Sequence, residues 1–184
     1  VCTNLDIGTP AAAAAIPHPR TARRAPGESV RVLFINAREL GFGTTGRTLE
    51  RVTAERPDIE AVHFSIHMPL WLRAVCWETP LKRGRIDFHA WRMMQAWAML
   101  LKPYLTGPLS LDRFDVVHIF TQQRSLAAAR LVAAGGNRPA SMAKLVVNVD
   151  ATFSGWDRAF EVRTHATPLQ LRMERSIYEA AAAS

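Results

Sequence analysis

The chain predicts an α/β fold, a parallel sheet with helices on both faces, and three observations carry that reading. Four short runs, Val30–Asn36, Ile59–Ser65, Asp115–Phe120 and Lys144–Val149, are rich in β-branched and aliphatic residues. Segments with helical patterning lie between and after them, an alternation that implies parallel βαβ units. The first run also opens into a glycine loop followed by a helix, in VRVLFINARELGFGTTGRT (30–48). Glycines there let backbone approach a ligand, and the free N–H groups and dipole of the next helix favour a phosphate.

Taken in order, the leader Val1–Ser29 is Ala/Pro-rich, with its charge following its short apolar stretch, the reverse of a secretory signal. It is expected to be disordered and to lie outside the fold. The first strand is followed by a helix from about Thr45 to Glu55, stopped by Pro57. After the second strand comes an irregular segment, Met68–Gly84, then a helix over Asp87–Tyr104. The third strand leads to SLAAARLVAA (125–134), an Ala/Leu-rich helix ended by Gly135-Gly136. The fourth strand and a helix over Pro168–Ala183 complete a Rossmann-like domain spanning residues 30–184.

At 184 residues there is room for one ordinary domain with a real core. A net charge of +7 and a pI of about 10.4 suit an anionic partner. The basic residues are scattered among acids, however, without an aromatic-rich RNA motif or zinc-finger spacing, which argues against nucleic acid. Two cysteines, Cys2 and Cys76, form no disulfide framework and agree with a reducing cytosol. No run of about 18 apolar residues spans a membrane. His63, His67, His89, His118 and His165 have no metal-ligand spacing, and His118, inside an apolar strand, reads as a hydrogen-bonded core residue.

Ligands of such sheets bind beyond the carboxyl ends of the strands. The first strand exit offers Gly41, Gly43, Thr44 and Thr45, the third Thr121, Gln122 and Gln123, and the fourth Asp150 and Thr152. Each of these also has an ordinary explanation, because Thr, Gln and Asp commonly end strands and cap helices. Gly41-Phe42-Gly43-Thr44-Thr45-Gly46 fits the G-x-G-x-x-G dinucleotide fingerprint, yet Asn36–Leu40 separate it from the strand end. The second strand ends in Phe64-Ser65, without the acid that would hold a ribose. A nicotinamide or flavin cofactor is therefore disfavoured, and no cofactor is expected.

The order Gly41–Gly46, Asp115-Val116-Val117-His118, Val146–Thr152 and Glu174–Ala181 resembles the N-terminal half of family-4 glycosyltransferases with the GT-B fold. The likeness covers about residues 30–183, through motifs whose order weighs more than any one of them. It implies the acceptor-side domain of a retaining, metal-independent enzyme that moves a sugar from a nucleotide-sugar donor to a sugar or lipid-linked acceptor. In that family a second domain holds most of the donor. By analogy Asp150 would sit near the reacting sugar as a catalytic residue; it serves equally well as a cap on the turn at Ser154-Gly155. The family's second domain, with its paired glutamates, is absent. The chain therefore reads as half an enzyme, inactive alone, and an N-terminal fragment, a split subunit and a truncated gene product fit equally. A non-catalytic α/β binding module is the alternative.

Between Trp71 and Leu105, tryptophans 71, 77, 91 and 97 occur with several Arg and Lys. The helix there is apolar almost all round, which favours burial. Aromatic plus basic side chains also suit a membrane surface. The expected location is cytoplasmic, with peripheral contact at the inner membrane face if that surface is used.

Overall fold

In the computed structural model, residues 2–5, 27–36, 42–76, 89–135, 143–149 and 168–184 are described. Five strands form one parallel sheet: β1 (Cys2–Leu5), β2 (Val30–Asn36), β3 (Ile59–Ser65), β4 (Val116–Phe120) and β5 (Lys144–Asn148), in the order β1-β3-β2-β4-β5. β2 is central. It pairs with β3 in the register Phe34↔His63 and with β4 in the register Phe34↔His118. Every neighbouring pair is parallel, as alternation of strand and helix requires.

Alternation along β2 decides which helices pack where. Leu33 and Ile35 point to one face, joined by Val62, Phe64, Val117, Ile119 and Leu145. Three helices cover this face: α3 (His89–Leu105) through Met94 and Leu101, α4 (Gln122–Ala134) through Leu126 and Ala128, and α5 (Pro168–Ala183) through Met173 and Ile177. Val32, Phe34 and Ala61 point the other way, toward α1 (Phe42–Ala54), whose Leu49 packs on them. Helices therefore lie on both faces, as expected for a Rossmann-like sheet. The three-helix side is knit by Gln95, which accepts from Arg130 Nη1 at 3.1 Å and donates to Met173 Sδ at 3.7 Å.

Asp115 holds the sheet at the start of β4. Its carboxylate accepts from the Arg31 amide at 2.7 Å, its own amide donates to Arg31 O, and its carbonyl accepts from Lys144 N. One residue thus fixes the starts of three strands. At the β5 edge of the sheet, Ser184 Oγ accepts from Leu145 N and donates to Ala181 O, tying the end of α5 to β5.

Four sequence expectations change. The leader is not wholly outside the fold, because Cys2–Leu5 adds β1 to β3; a four-residue edge strand needs only backbone pairing and leaves little sequence signal. Helices α1 and α4 each begin three residues before the expected Thr45 and Ser125. Their first turns hold Gly, Thr and Gln, poor in apolar periodicity, and a first turn makes few intrahelical N–H bonds of its own. The segment Met68–Gly84 contains a short helix, α2 (Leu70–Val75). It is apolar on both sides and so shows no helical alternation. The other strands and helices agree with the expected positions to within two residues at each described end.

The loop after α3 supplies a test of backbone packing. A Cβ at Gly107 would stand 2.8 Å from the carbonyl oxygen of Pro103, a backbone atom with no rotamer to give way. Gly107→Ala is expected to lower unfolding free energy by roughly 1–3 kcal/mol, read by urea titration.

Candidate functional site

The strand order reverses direction at β2. β3 lies on one side of it and β4 on the other, so the carboxyl ends of β2 and β4 flank a topological switch point, where sheets of this type open a crevice. Asn36 ends β2 and Thr121 follows β4. Helix α1 rises on one side and α4 on the other. Neither helix has an acidic residue in its first turn, so the positive ends of both dipoles are left unneutralised by their own side chains.

Asn36 joins the parts. It is 2 % exposed. Its Nδ2 lies 3.1 Å from His63 Nδ1, and His63 Nε2 lies 3.0 Å from Thr53 Oγ1 on α1. Thr53 commits its single proton to Leu49 O at 2.7 Å, so it accepts from His63 Nε2–H. His63 Nδ1 is then bare and accepts from the Asn36 amide. This chain fixes one tautomer of a neutral imidazole, and burial holds His63 down at about 4. Phe34 stacks on the same ring with centroids 4.7 Å apart. The oxygen of that side-chain amide, Asn36 Oδ1, is buried and has no hydrogen-bond partner.

On the α4 side, Arg124 is 2 % exposed and donates from Nη1 to the carbonyl of Asn36 at 2.9 Å. Its guanidinium lies 4.1 Å over the Trp97 ring of α3, a cation–π contact sheltered from water. Gln122 is buried and Gln123 partly so. Thr121 has φ 73° and ψ 140°, the one non-glycine with positive φ among the described residues. A β-branched side chain in that region stores on the order of 1–3 kcal/mol of backbone strain. It persists because both sides of the residue are tied down: Thr121 N donates to Asn148 O, and Thr121 O accepts from Arg124 N and from Ser125 Oγ. Its own side chain makes no capping bond.

The sequence-predicted residues fall into three groups. Thr121 and Gln122 lie at the switch point beside Asn36, with Gln123 next along α4. Gly43, Thr44 and Thr45 form the first turn of α1 rather than a loop, with Thr44 and Thr45 exposed. Gly41, Asp150 and Thr152 lie outside the described residues. Gly46, within α1, needs no special backbone angle, and a Cβ there would meet Asn36 Cγ at an ordinary 3.7 Å. Residues that sequence reasoning missed are Asn36, Thr53, His63 and Arg124. A polar residue closing an apolar strand, and a histidine at its neighbour's core positions, were the available signals.

Two motif elements of the family likeness have structural work of their own. Asp115 is engaged with Arg31, and Glu174, buried in α5, accepts from Tyr178 Oη at 2.9 Å one turn on. Tyr178 is pushed well above its ordinary value by burial and by that carboxylate. His118 is half-buried between Phe34 and Phe120, its pKa lowered by burial. Its Nδ1 has no partner, contrary to the expectation of a hydrogen-bonded core histidine; the aromatic rings around it supply no acceptor. No three His, Cys, Asp or Glu side chains gather as a metal site among the described residues.

The fold thus defines an α/β domain with a Rossmann-like switch point between two helix N-termini. No protein-family model, curated protein or solved structure matches the chain.

Two measurements test this geometry. His63 is depressed in the folded state, so its contribution is full above about pH 6.5 and falls as pH drops toward about 4. Wild-type protein is expected to lose about 2 kcal/mol more than His63→Gln between pH 7.5 and 5, read by urea unfolding. Thr121→Gly relieves the backbone and is expected to raise stability by about 1 kcal/mol in the same assay. A loss of stability would show that Thr121 is not strained.

Proposed function

We propose that this chain is the acceptor-side domain of a retaining glycosyltransferase of the GT-B type. Such an enzyme would take a sugar from a nucleotide-sugar donor held mainly by a second domain. The observation that carries the reading is the set of groups at the carboxyl ends of β2 and β4. The α1 first turn, the buried and unpartnered side-chain oxygen Oδ1 of Asn36, and a strained Thr121 lie around the switch point of a parallel sheet. Strain and an unsatisfied buried acceptor cost stability, and sites that bind ligands are where such costs persist.

The chemistry follows from these groups. Helix N–H groups at Gly43–Thr45 would stabilise a diphosphate leaving group as negative charge develops on it. Asn36 Oδ1 is an acceptor suited to a sugar hydroxyl. Thr121 and Gln122 would orient the acceptor substrate, a sugar or lipid-linked sugar. Asp150 would stabilise positive charge at the anomeric carbon. The resemblance in motif order to family-4 enzymes supports the choice of sugar transfer over other phosphate-ester chemistry, and the absence of an acid after β3 argues against a dinucleotide.

Sequencing the natural transcript beyond Ser184 comes first. A second domain of roughly 150–200 residues with a Glu-x7-Glu motif is expected, and an immediate stop codon would leave an α/β binding module as the better reading. In the two-domain protein, Gly43→Val is expected to lower transfer by about a hundredfold or more through loss of phosphate stabilisation, with the melting curve unchanged. Gly46→Ala, whose methyl has room, serves as the control and should retain activity. Equal activity in both variants would remove α1 from the phosphate site.

A further inference from the structure

His63 sits in a chain of side-chain hydrogen bonds that is closed at one end and open at the other. Both ring nitrogens are taken, Nε2–H by Thr53 Oγ1 at 3.0 Å and Nδ1 by Asn36 Nδ2 at 3.1 Å. The imidazole is 2 % exposed and stacked on Phe34 with the two planes 7° apart, so it is held where it stands. Asn36 Oδ1 is the open end.

A proton added at Nδ1 disturbs only one of these contacts. The ring then carries N–H on both nitrogens. Thr53 still accepts from Nε2–H, because its own proton goes to Leu49 O at 2.7 Å. Nδ1–H, however, faces the Asn36 NH2, donor against donor. A half-turn of the amide about Cβ–Cγ removes the conflict by bringing Oδ1 to Nδ1–H. Amide oxygen and nitrogen are nearly equal in size, and this terminal torsion is broad and two-fold, so the half-turn requires no repacking. One open end remains as before, but it is now an NH2.

The surrounding elements bring several ionisable groups toward this chain. Arg124 of α4 donates to the Asn36 carbonyl at 2.9 Å. His118 of β4 lies across Phe34, with ring centroids 5.5 Å apart. Glu50 is on the same side of α1 as Thr53, one turn earlier, and Arg51 is exposed beside it. β1 enters in register at Asn4, which does not ionise. None of these bonds the ring, whose two nitrogens are already engaged. Burial opposes a charge on His63 and holds it down at about 4, so the change belongs to acid conditions.

We propose that Asn36 is a proton-controlled hydrogen-bonding group: with His63 neutral it offers an oxygen at the carboxyl end of β2, and with His63 protonated it offers an NH2. The proton comes from solvent to Nδ1 and none leaves. A ligand that brings a hydroxyl donor to Asn36 is favoured above the transition, and one that brings an oxyanion or carbonyl is favoured below it. That consequence rests on reading this strand end as the binding site; the switch itself does not.

The test is nuclear magnetic resonance on the full chain labelled with nitrogen-15, from pH 7.5 down to about 3. At pH 7.5, His63 Nδ1 is expected to be bare and to show a scalar coupling to Asn36 Nδ2 across the hydrogen bond. As His63 titrates, the coupling is expected to vanish and the Asn36 NH2 signals to move with the same midpoint, the backbone spectrum staying that of the folded chain. Asn36→Asp places an acceptor-only group at the same point, so His63 Nδ1 should be protonated already at pH 7.5. His118→Phe removes the second histidine of this sheet face and should leave the wild-type response unchanged. A protonated Nδ1 in the wild type at pH 7.5, Asn36 signals that ignore the titration, or a bare Nδ1 in Asn36→Asp each overturns the proposal. Loss of the folded spectrum before His63 titrates overturns it as well, since the switch requires a fold that survives the proton. All of these readings come from the free chain, so a missing second domain or absent transfer activity bears on the transferase reading and not on them.

Discussion

Asn36 is the position through which helices α1 and α4 are set relative to the sheet. Its side chain bonds His63 on β3, and through it Thr53 on α1. Its carbonyl receives Arg124 from α4, whose guanidinium in turn rests on Trp97 of α3. Four elements are thereby referenced to the last residue of the central strand. Each of these groups is buried and polar, so removing one leaves its partner unsatisfied, which costs more than the bond is worth by itself. The network favours one arrangement of α1 and α4 for that reason.

Rigidity of this kind makes the strain at Thr121 tolerable. Its amide and carbonyl are both engaged, and Ser125 adds a second bond to the carbonyl. A positive φ at a threonine is sustained only where the neighbours over-determine the backbone. The stability given up here and at the unpartnered Asn36 Oδ1 is small against the apolar core of β2, β3, β4, α3, α4 and α5, which is continuous. Core packing on one face thus underwrites a polar and strained edge at the carboxyl end of the sheet.

The legibility of the fold and of the site differed for physical reasons. Strands β2, β3, β4 and β5 stood out because a strand buried on both faces reads as an uninterrupted apolar run. Edge strand β1 and helix α2 did not, since backbone pairing and a helix apolar on both sides leave no period to find. Thr121 and Gln122 were legible as a strand exit, whereas Arg124 looked like one more scattered basic residue. His63 drew attention only as a possible ligand, and its bond to Asn36 depends on a register that brings residues 27 apart in the chain side by side.

By itself the sequence determined the α/β class and the parallel alternation, because hydrophobic periodicity and breaker residues are local properties. It also set the net charge of +7. Tertiary structure decided the strand order, and hence that the switch point falls between β2 and β4. It decided that Gly43 and Gly46 belong to a helix, that Asn36 and Arg124 meet, and that Trp97 is buried while Trp71 is exposed. Those outcomes rest on contacts between residues distant in the chain, whose energies no local pattern records.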